Sequence, residues 1–105
     1  MRVSWHPQVA EDLVESASHY ERRREGLGME FLAEAERAVR EAVLHPSRWR
    51  KVHRQGIRRC RLRRFPHAVY YRPPKAGGGA LRILGILSSA RDPRLSQKRA
   101  GKSSI

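Results

Sequence analysis

The sequence has few of the residues and apolar segments on which several common classes of protein depend. It contains one cysteine, Cys60, which excludes an intramolecular disulfide and a cysteine-based zinc site. Aromatic residues make up 7% of the chain and apolar residues 39%, so 105 residues can bury only a modest core. No apolar run approaches the ~20 residues that a membrane-spanning helix needs. The first residues turn polar at once and lack the apolar segment of a signal peptide, so we expect a cytoplasmic protein without membrane association.

Acidic residues are almost absent from the second half of the chain. Residues 1–44 carry six arginines and nine acids, a net charge of −3. Residues 45–105 carry seventeen lysines or arginines and one acid, Asp92, a net charge of +16, so the two parts sum to +13. Ordinary surfaces mix both signs, and an asymmetry of this size therefore indicates a face that meets a polyanion or an acidic protein.

The chain also lacks the groups of side chains that common hydrolases and metalloenzymes use. Its acids fall almost entirely on predicted helices, and the predicted sheet has none for a two-carboxylate or metal-dependent mechanism. The five histidines are scattered, without the spacing or cysteine partners of a metal site. There is no Ser/His/Asp signature, and the glycines at 77–79 lack the Lys-Ser/Thr of a phosphate loop. We therefore predict no metal and no cofactor, and we assign Cys60 to the core.

Hydrophobic periodicity predicts two helices in the first half. Residues 2–5 alternate in polarity, as a short strand does, and a proline at position 7 then opens a helix that runs to about Arg24. A Gly-Leu-Gly break separates this helix from a second one, which carries a stripe of alanines and stops at Pro46. Residues 7–45 are therefore predicted to form an αα-hairpin.

The second half alternates with the period of β-strands. A basic loop at 47–56 comes first. Three strands are predicted after it, beginning near Ile57, at His67–Arg72 and at Leu81–Leu87. The order β-α-α-β-β-β predicts an α+β domain in which the helical hairpin packs on one face of a small, mainly antiparallel sheet. We expect one domain at 1–94, followed by a basic, flexible tail at 95–105.

The first of these strands carries a row of positive charge. Cys60 and Leu62 are expected to face the core, which places three arginines on the other side: Arg59, Arg61 and Arg63. Like charges in such a row repel each other unless an acidic or polyanionic partner faces them. Arginine can hold phosphates bidentately, or stabilise charge on a pentacovalent phosphate without a metal. Tyr70 and Tyr71 are neighbours in a strand, so at most one joins the arginines, and we count Tyr71 among the binding candidates.

Several short motifs follow one another in a recognisable order. They are HPQVAEDL near the start, GLGMEF at the helix break, HP at the helix end, the arginine strand, FPHAVYY, and a last apolar strand leading into SSARDPR. In this order the sequence resembles the RelE/ParE toxin superfamily of bacterial type II toxin–antitoxin systems. The resemblance implies an αα-hairpin on an antiparallel sheet. It also implies an acidic, amphipathic antitoxin that forms a hetero-oligomer with the toxin.

The superfamily has two main activities. RelE-like members cut mRNA on the ribosome with basic residues and a C-terminal tyrosine, whereas ParE-like members poison DNA gyrase. Arg59 and Arg61 fall where RelE-like enzymes carry basic catalytic residues, and Arg91 falls where the family carries an arginine after the last strand. Two features of the nuclease branch are missing. Ala68 stands in place of an arginine in the strand after FP, and residues 96–97 lack the tyrosine that supplies acid/base chemistry.

The closer resemblance is therefore to the ParE branch, which the GLG-x-x-F and FP motifs also favour. We predict a toxin that inhibits gyrase or a related topoisomerase by binding and is not itself an enzyme. Target or antitoxin binding is assigned to Arg59, Arg61, Arg63, Tyr71, Arg91 and Arg94. Two alternatives stay open: a metal-independent, ribosome-dependent mRNA endoribonuclease that uses Arg59, Arg61 and Arg91, and a non-toxic nucleic-acid-binding module, which the charge alone would explain.

Overall fold

A five-stranded sheet carries two helices on one face in the computed structural model, which describes residues 2–53, 55–76, 78–89 and 99–100. The elements run β1 (Val3–Trp5), α1 (Val9–Arg23), α2 (Leu27–Leu44), β2 (Arg50–Lys51), β3 (Arg58–Arg61), β4 (His67–Arg72) and β5 (Leu81–Ser88). The strand order is β1-β5-β4-β3-β2, with β1 parallel to β5 and the other neighbours antiparallel. The predicted α+β architecture is confirmed.

The helical hairpin closes tightly because of two glycines in its connection. The buried face of α2 consists of Gly28, Phe31, Ala35, Ala38 and Ala42. Gly26 has a φ of +88°, a left-handed conformation that glycine adopts without steric cost. A Cβ atom on Gly28 would lie 2.7 Å from the carbonyl oxygen of Ala17, so only glycine allows the two helices to approach this closely. The Glu21 carboxylate accepts the N–H groups of both glycines at 2.9 Å, and these bonds lower the pKa of Glu21.

The sheet separates two apolar clusters. The main core lies between the sheet and the helices, where Phe31 and Tyr20 pack against Val69, Tyr71 and other strand residues. A smaller cluster contains Ile57, Ala68, Tyr70, Leu84, Leu87 and Ala100. Alternate residues of β4 therefore belong to different clusters, which places the smaller cluster on the sheet face turned away from the helices. Strand β5, which lies between β1 and β4, is buried along most of its length, as its apolar sequence predicts.

One short strand was not predicted. Arg50 and Lys51, inside the expected loop at 47–56, pair with β3 as strand β2. Two apolar residues of this segment hold it in place. Trp49 packs against the main core and donates its indole N–H to the Glu41 carbonyl at 3.3 Å, and the N–H of Val52 bonds to the Ile57 carbonyl at 2.8 Å. Because Trp49 and Val52 are both held in place, Arg50 and Lys51 between them lie along the edge of β3.

The stretch at 95–105 contains two buried residues, which the expectation of a flexible tail did not foresee. Arg99 and Ala100 are helical, with 6% and 1% of their surface exposed, and the other residues of this stretch lie outside those that the structure describes. The Arg99 guanidinium bonds to both oxygens of the Asp12 carboxylate, at 2.7 and 3.1 Å, and to the Leu84 carbonyl at 3.1 Å. Asp12 also accepts the N–H of Ile86 at 3.2 Å. Strand β1 pairs with β5 only as far as Ile83. Beyond that point the Asp12–Arg99 pair supplies hydrogen-bond partners to the edge of β5, at the Leu84 carbonyl and the Ile86 N–H.

Candidate functional site

The surface of the sheet that faces away from the helices is lined with arginines, and we call it the arginine face. Arg59 and Arg61 lie opposite Tyr70 and Ala68 in the sheet register, and both partners belong to the smaller apolar cluster. The same register adds cations from three further strands. The described members of the arginine face are Arg50, Arg59, Arg61, Arg72 and Arg82. The structure thus brings together Arg59 and Arg61, as predicted, and adds arginines from β2, β4 and β5.

No carboxylate accompanies these arginines within the described residues. The acids at 11–41 all belong to the helical hairpin and its connection. Two pairs of arginines are direct cross-strand neighbours, Arg50 with Arg59 and Arg72 with Arg82. Directly opposed like charges destabilise a sheet unless a counter-charge is present. The arginine face therefore has an excess of positive charge that a negatively charged partner can neutralise.

Arg63 lies close to the arginine face but not in its strand. Strand β3 ends at Arg61, and the chain bends so that the N–H groups of Arg63 and Arg64 both donate to one oxygen of the Glu34 carboxylate, at 2.7 and 3.1 Å. The Arg63 side chain is exposed. Glu34, on α2, thus fixes the bend that follows β3.

The expectation for Tyr71 needs correction, because its ring lies in the main core on the helix side of the sheet. Tyr71 is completely buried, and its hydroxyl donates to the Pro46 carbonyl at 2.7 Å. Burial raises its pKa to about 12. Its neighbour Tyr70 is the tyrosine that belongs with the arginines, although only 6% of it is exposed. A two-residue period places the tyrosines on opposite faces, but only the pairing register decides which one faces the arginines.

The groups that a nuclease of this fold would need are not on the described part of the arginine face. Ala68 lies there directly opposite Arg61, where the nuclease branch is expected to carry an arginine. His67 points to the other side, with its ring nitrogens 3.4 Å from the hydroxyls of Ser16 and Tyr20. Arg91 and Arg94, the remaining candidates, lie outside the residues that the structure describes. The histidine of β4 is therefore not placed to move a proton beside the arginines.

A second surface is apolar, and the sequence did not single it out. A groove of about 400 Å³ runs between the end of β1 and the helical hairpin. We call it the apolar groove, and it is lined by Trp5, Leu13, Leu32, Ala35, Glu36, Val39, Arg40 and Ile86. Trp5 is 48% exposed at its edge. Leu13 and Val39 lie on the apolar stripes of their helices. These stripes are wider than the area that the sheet covers, and their width is the sequence signal from which the groove could have been predicted.

Cys60 is a core residue, as predicted, and its burial gives a testable pH dependence. Burial raises the pKa of the thiol from its ordinary 9.0 to about 11. The unfolded chain therefore loses its thiol proton at a lower pH than the folded chain, and the free energy of unfolding falls as the pH rises from about 9 to 11. Replacing Cys60 with alanine should remove on the order of 2 kcal/mol of this alkaline loss. Urea titrations at pH values below and above this window check it, and an equal loss in both proteins would contradict it.

Two kinds of site were sought in the described part of the chain, clustered metal ligands and membrane-spanning helices. No group of three or more His, Cys, Asp or Glu side chains among the described residues has the geometry to hold a metal ion. No helix in the described ranges combines the length and apolarity needed to cross a bilayer. The arrangement therefore offers two binding surfaces, one cationic and one apolar, on opposite sides of the sheet.

Comparison with known proteins gives matches to a protein-family model and to solved structures. A protein-family model described as the ParE toxin of the type II toxin–antitoxin system parDE matches residues 3–93. Among solved structures, the chromosomal ParDE TA system from P. aeruginosa is similar, with a TM-score of 0.68 and 22% sequence identity over 82% of this chain and 92% of that chain. At this identity the structural likeness supports the fold. No curated protein gives a significant match.

Proposed function

Because the chain belongs to the ParE toxin family of type II toxin–antitoxin systems, we propose that it inhibits DNA gyrase by binding and that a cognate antitoxin neutralises it. The observation that carries the proposal is the composition of the arginine face. It combines a dense set of guanidinium groups with no carboxylate or histidine in its described part. An RNA-cleaving enzyme needs a group that moves a proton, whereas an inhibitor that docks needs only complementary charge and shape.

The arginine face is suited to docking on an acidic protein surface. Arg59 and Arg61 project from one strand with two-residue spacing, and guanidinium groups bind carboxylates bidentately. The net charge of +13 also accelerates encounter with any acidic partner. Arg63, just after the end of β3, and Arg91 and Arg94, outside the described residues, remain proposed contributors to this surface. Tyr71 does not, because its ring is buried among core residues.

We place the antitoxin on the apolar groove. Its lining of Trp5, Leu13, Leu32 and Val39 matches what the apolar side of an amphipathic segment needs, and Glu36 and Arg40 supply a polar rim. An acidic antitoxin would be attracted by the overall charge of the toxin before it docks. In this arrangement the antitoxin covers the helix side of the molecule and can extend around β1, the sheet edge, toward the arginine face.

A supercoiling assay with purified components tests both parts of this proposal. The toxin is expected to block supercoiling by gyrase, and the antitoxin encoded beside it is expected to restore the activity. Replacing Trp5 with glutamate should leave inhibition intact but prevent rescue, because it places a charge at the edge of the groove. Met29→Glu is the matched control, since Met29 is 70% exposed on α2 and does not line the groove.

Two results would overturn the proposal. Normal supercoiling at saturating toxin would remove gyrase as the target, and equal rescue of the Trp5 and Met29 variants would remove the groove as the antitoxin site. The pattern of mRNA 5′ ends after induction of the toxin should stay unchanged. New, ribosome-dependent cleavage sites would establish the endoribonuclease alternative instead.

A further inference from the structure

We propose that the arginine face binds the sugar–phosphate backbone of duplex DNA directly. The choice of DNA rests on the proposed function, because a toxin docked on gyrase lies near the DNA that gyrase holds. The inference adds a second ligand to the one already proposed, and it makes the toxin a protein that contacts both the enzyme and its substrate. Three observations on the described residues carry it.

The first observation is that no arginine of this face has a carboxylate partner among the described residues, whereas five arginines around the hairpin do. Ion pairs join the arginines around the hairpin to glutamates, in the pairs Arg24–Glu30, Arg37–Glu34, Arg40–Glu36, Arg48–Glu41 and Arg64–Glu30. None of the five arginines of the arginine face pairs with a carboxylate in the described part of the chain. Arg82 donates to the Ser4 hydroxyl at 3.1 Å, and Arg72 to the Ala100 carbonyl at 3.5 Å, which are both neutral. This charge is left for an external anion.

The second observation is the layout of the charge. The arginines span four adjacent strands, β2 to β5, which corresponds to a width of about 15 Å at ordinary strand spacing. Duplex DNA carries one phosphate charge per ~1.7 Å of its axis, so a stretch of this length turns on the order of four phosphates toward the protein. Arg50 faces Arg59, and Arg72 faces Arg82, so each pair presents two cations side by side. Phosphates placed between the members of a pair relieve their repulsion.

The third observation favours a duplex over a single strand. Proteins that bind single-stranded nucleic acid stack bases on exposed aromatic rings. Tyr70, the aromatic residue of this face, is only 6% exposed, and Trp5, the exposed aromatic residue among those described, lines the apolar groove. The face therefore offers guanidinium groups without a stacking platform. Such a surface contacts phosphates and reads no sequence.

Fluorescence anisotropy with the complete purified toxin and a short labelled DNA duplex tests the proposal over a series of salt concentrations. About four phosphate contacts predict a slope of roughly −4 in a plot of log affinity against log salt concentration. The variant Arg50→Ala/Arg61→Ala should reduce this slope by about 2, because each lost phosphate contact removes about one. Both side chains are exposed, so the variant is expected to fold. The matched control is Arg22→Ala/Arg23→Ala on α1, which makes the same change in net charge and should keep the slope.

Three outcomes would overturn the inference: no binding at low salt, an equal loss of slope in the control variant, and preference for single-stranded DNA. The first, in a toxin that still inhibits gyrase, would assign the face to an acidic protein alone. The supercoiling assay separates this inference from the proposed function. A toxin that inhibits gyrase but fails to bind duplex DNA contradicts only the inference, and one that binds DNA without inhibiting gyrase contradicts only the proposed function.

Discussion

Replacing Asp12 with alanine is expected to lower the free energy of unfolding by about 3–5 kcal/mol. Asp12 and Arg99 form an ion pair whose side chains are 8% and 7% exposed, at 2.7 Å between Oδ2 and Nη1. Removing the carboxylate leaves the guanidinium charge buried without its counter-ion. It also removes the acceptor for the N–H of Ile86 at the edge of β5. Chemical denaturation of the purified toxin measures the loss.

Two further variants show whether the pair itself is responsible. Glu11→Ala removes an exposed carboxylate from the same turn of α1 and should cost well under 1 kcal/mol, because it affects only a surface charge near the helix N-terminus. The double variant Asp12→Leu/Arg99→Met removes both charges and should recover much of the stability that Asp12→Ala loses. If Asp12→Ala proved no more costly than Glu11→Ala, the ion pair would not anchor residues 99–100 to the sheet.

Replacing Arg59 and Arg61 together by glutamate is expected to weaken the proposed inhibition of gyrase about 100-fold or more. Each substitution removes a cation from the arginine face and puts an anion in its place, and close charge pairs at protein interfaces contribute about 1.5–7 kcal/mol each. Both side chains lie on the face without carboxylate partners in the described part of the chain. The concentration of toxin that half-inhibits supercoiling is the quantity to measure.

The control for this charge reversal is Arg22→Glu/Arg23→Glu, which changes the net charge of the protein equally but on the surface of α1. It should reduce inhibition only slightly, through the slower encounter that a less basic protein makes. Binding of the antitoxin to both variants, measured in parallel, reports that they are folded. Undiminished inhibition by the Arg59/Arg61 variant, with antitoxin binding showing that it is folded, would refute a role for these two arginines.

The elements with strong local patterns could be read from the sequence. Strand β4 has the predicted limits, His67–Arg72, because prolines stand close to both ends and the residues between them are apolar or aromatic. The helices begin and end near the predicted positions, since glycine and proline mark their limits and apolar residues recur at helical spacing. The assignment of Cys60 to the core side of β3 followed from the two-residue period, because the less polar Cys60 and Leu62 alternate with arginines.

The features that the sequence did not reveal depend on contacts between distant parts of the chain. Asp12 looks like an ordinary acid in the first turn of a helix, and only the fold brings it to Arg99, 87 positions away. Strand β2 has no strand-like pattern and forms because Trp49 is fixed by the core. The apolar groove likewise appears only when the packing of hairpin on sheet shows which apolar residues are left uncovered. Local patterns identify elements, and packing determines which of their faces are open.

The parallel pairing of β1 with β5 has a consequence for how the toxin is made. Val3 pairs with Leu81, so β1 can join the sheet only after β5 has been synthesised. The Asp12–Arg99 pair extends this dependence to residue 99. A sheet built from contacts between distant positions forms more slowly than a helical hairpin, whose contacts are local. While the ribosome is still translating the second half, the nascent chain can complete its acidic hairpin but not its arginine face, so an incomplete polypeptide carries the scaffold without the surface proposed to act.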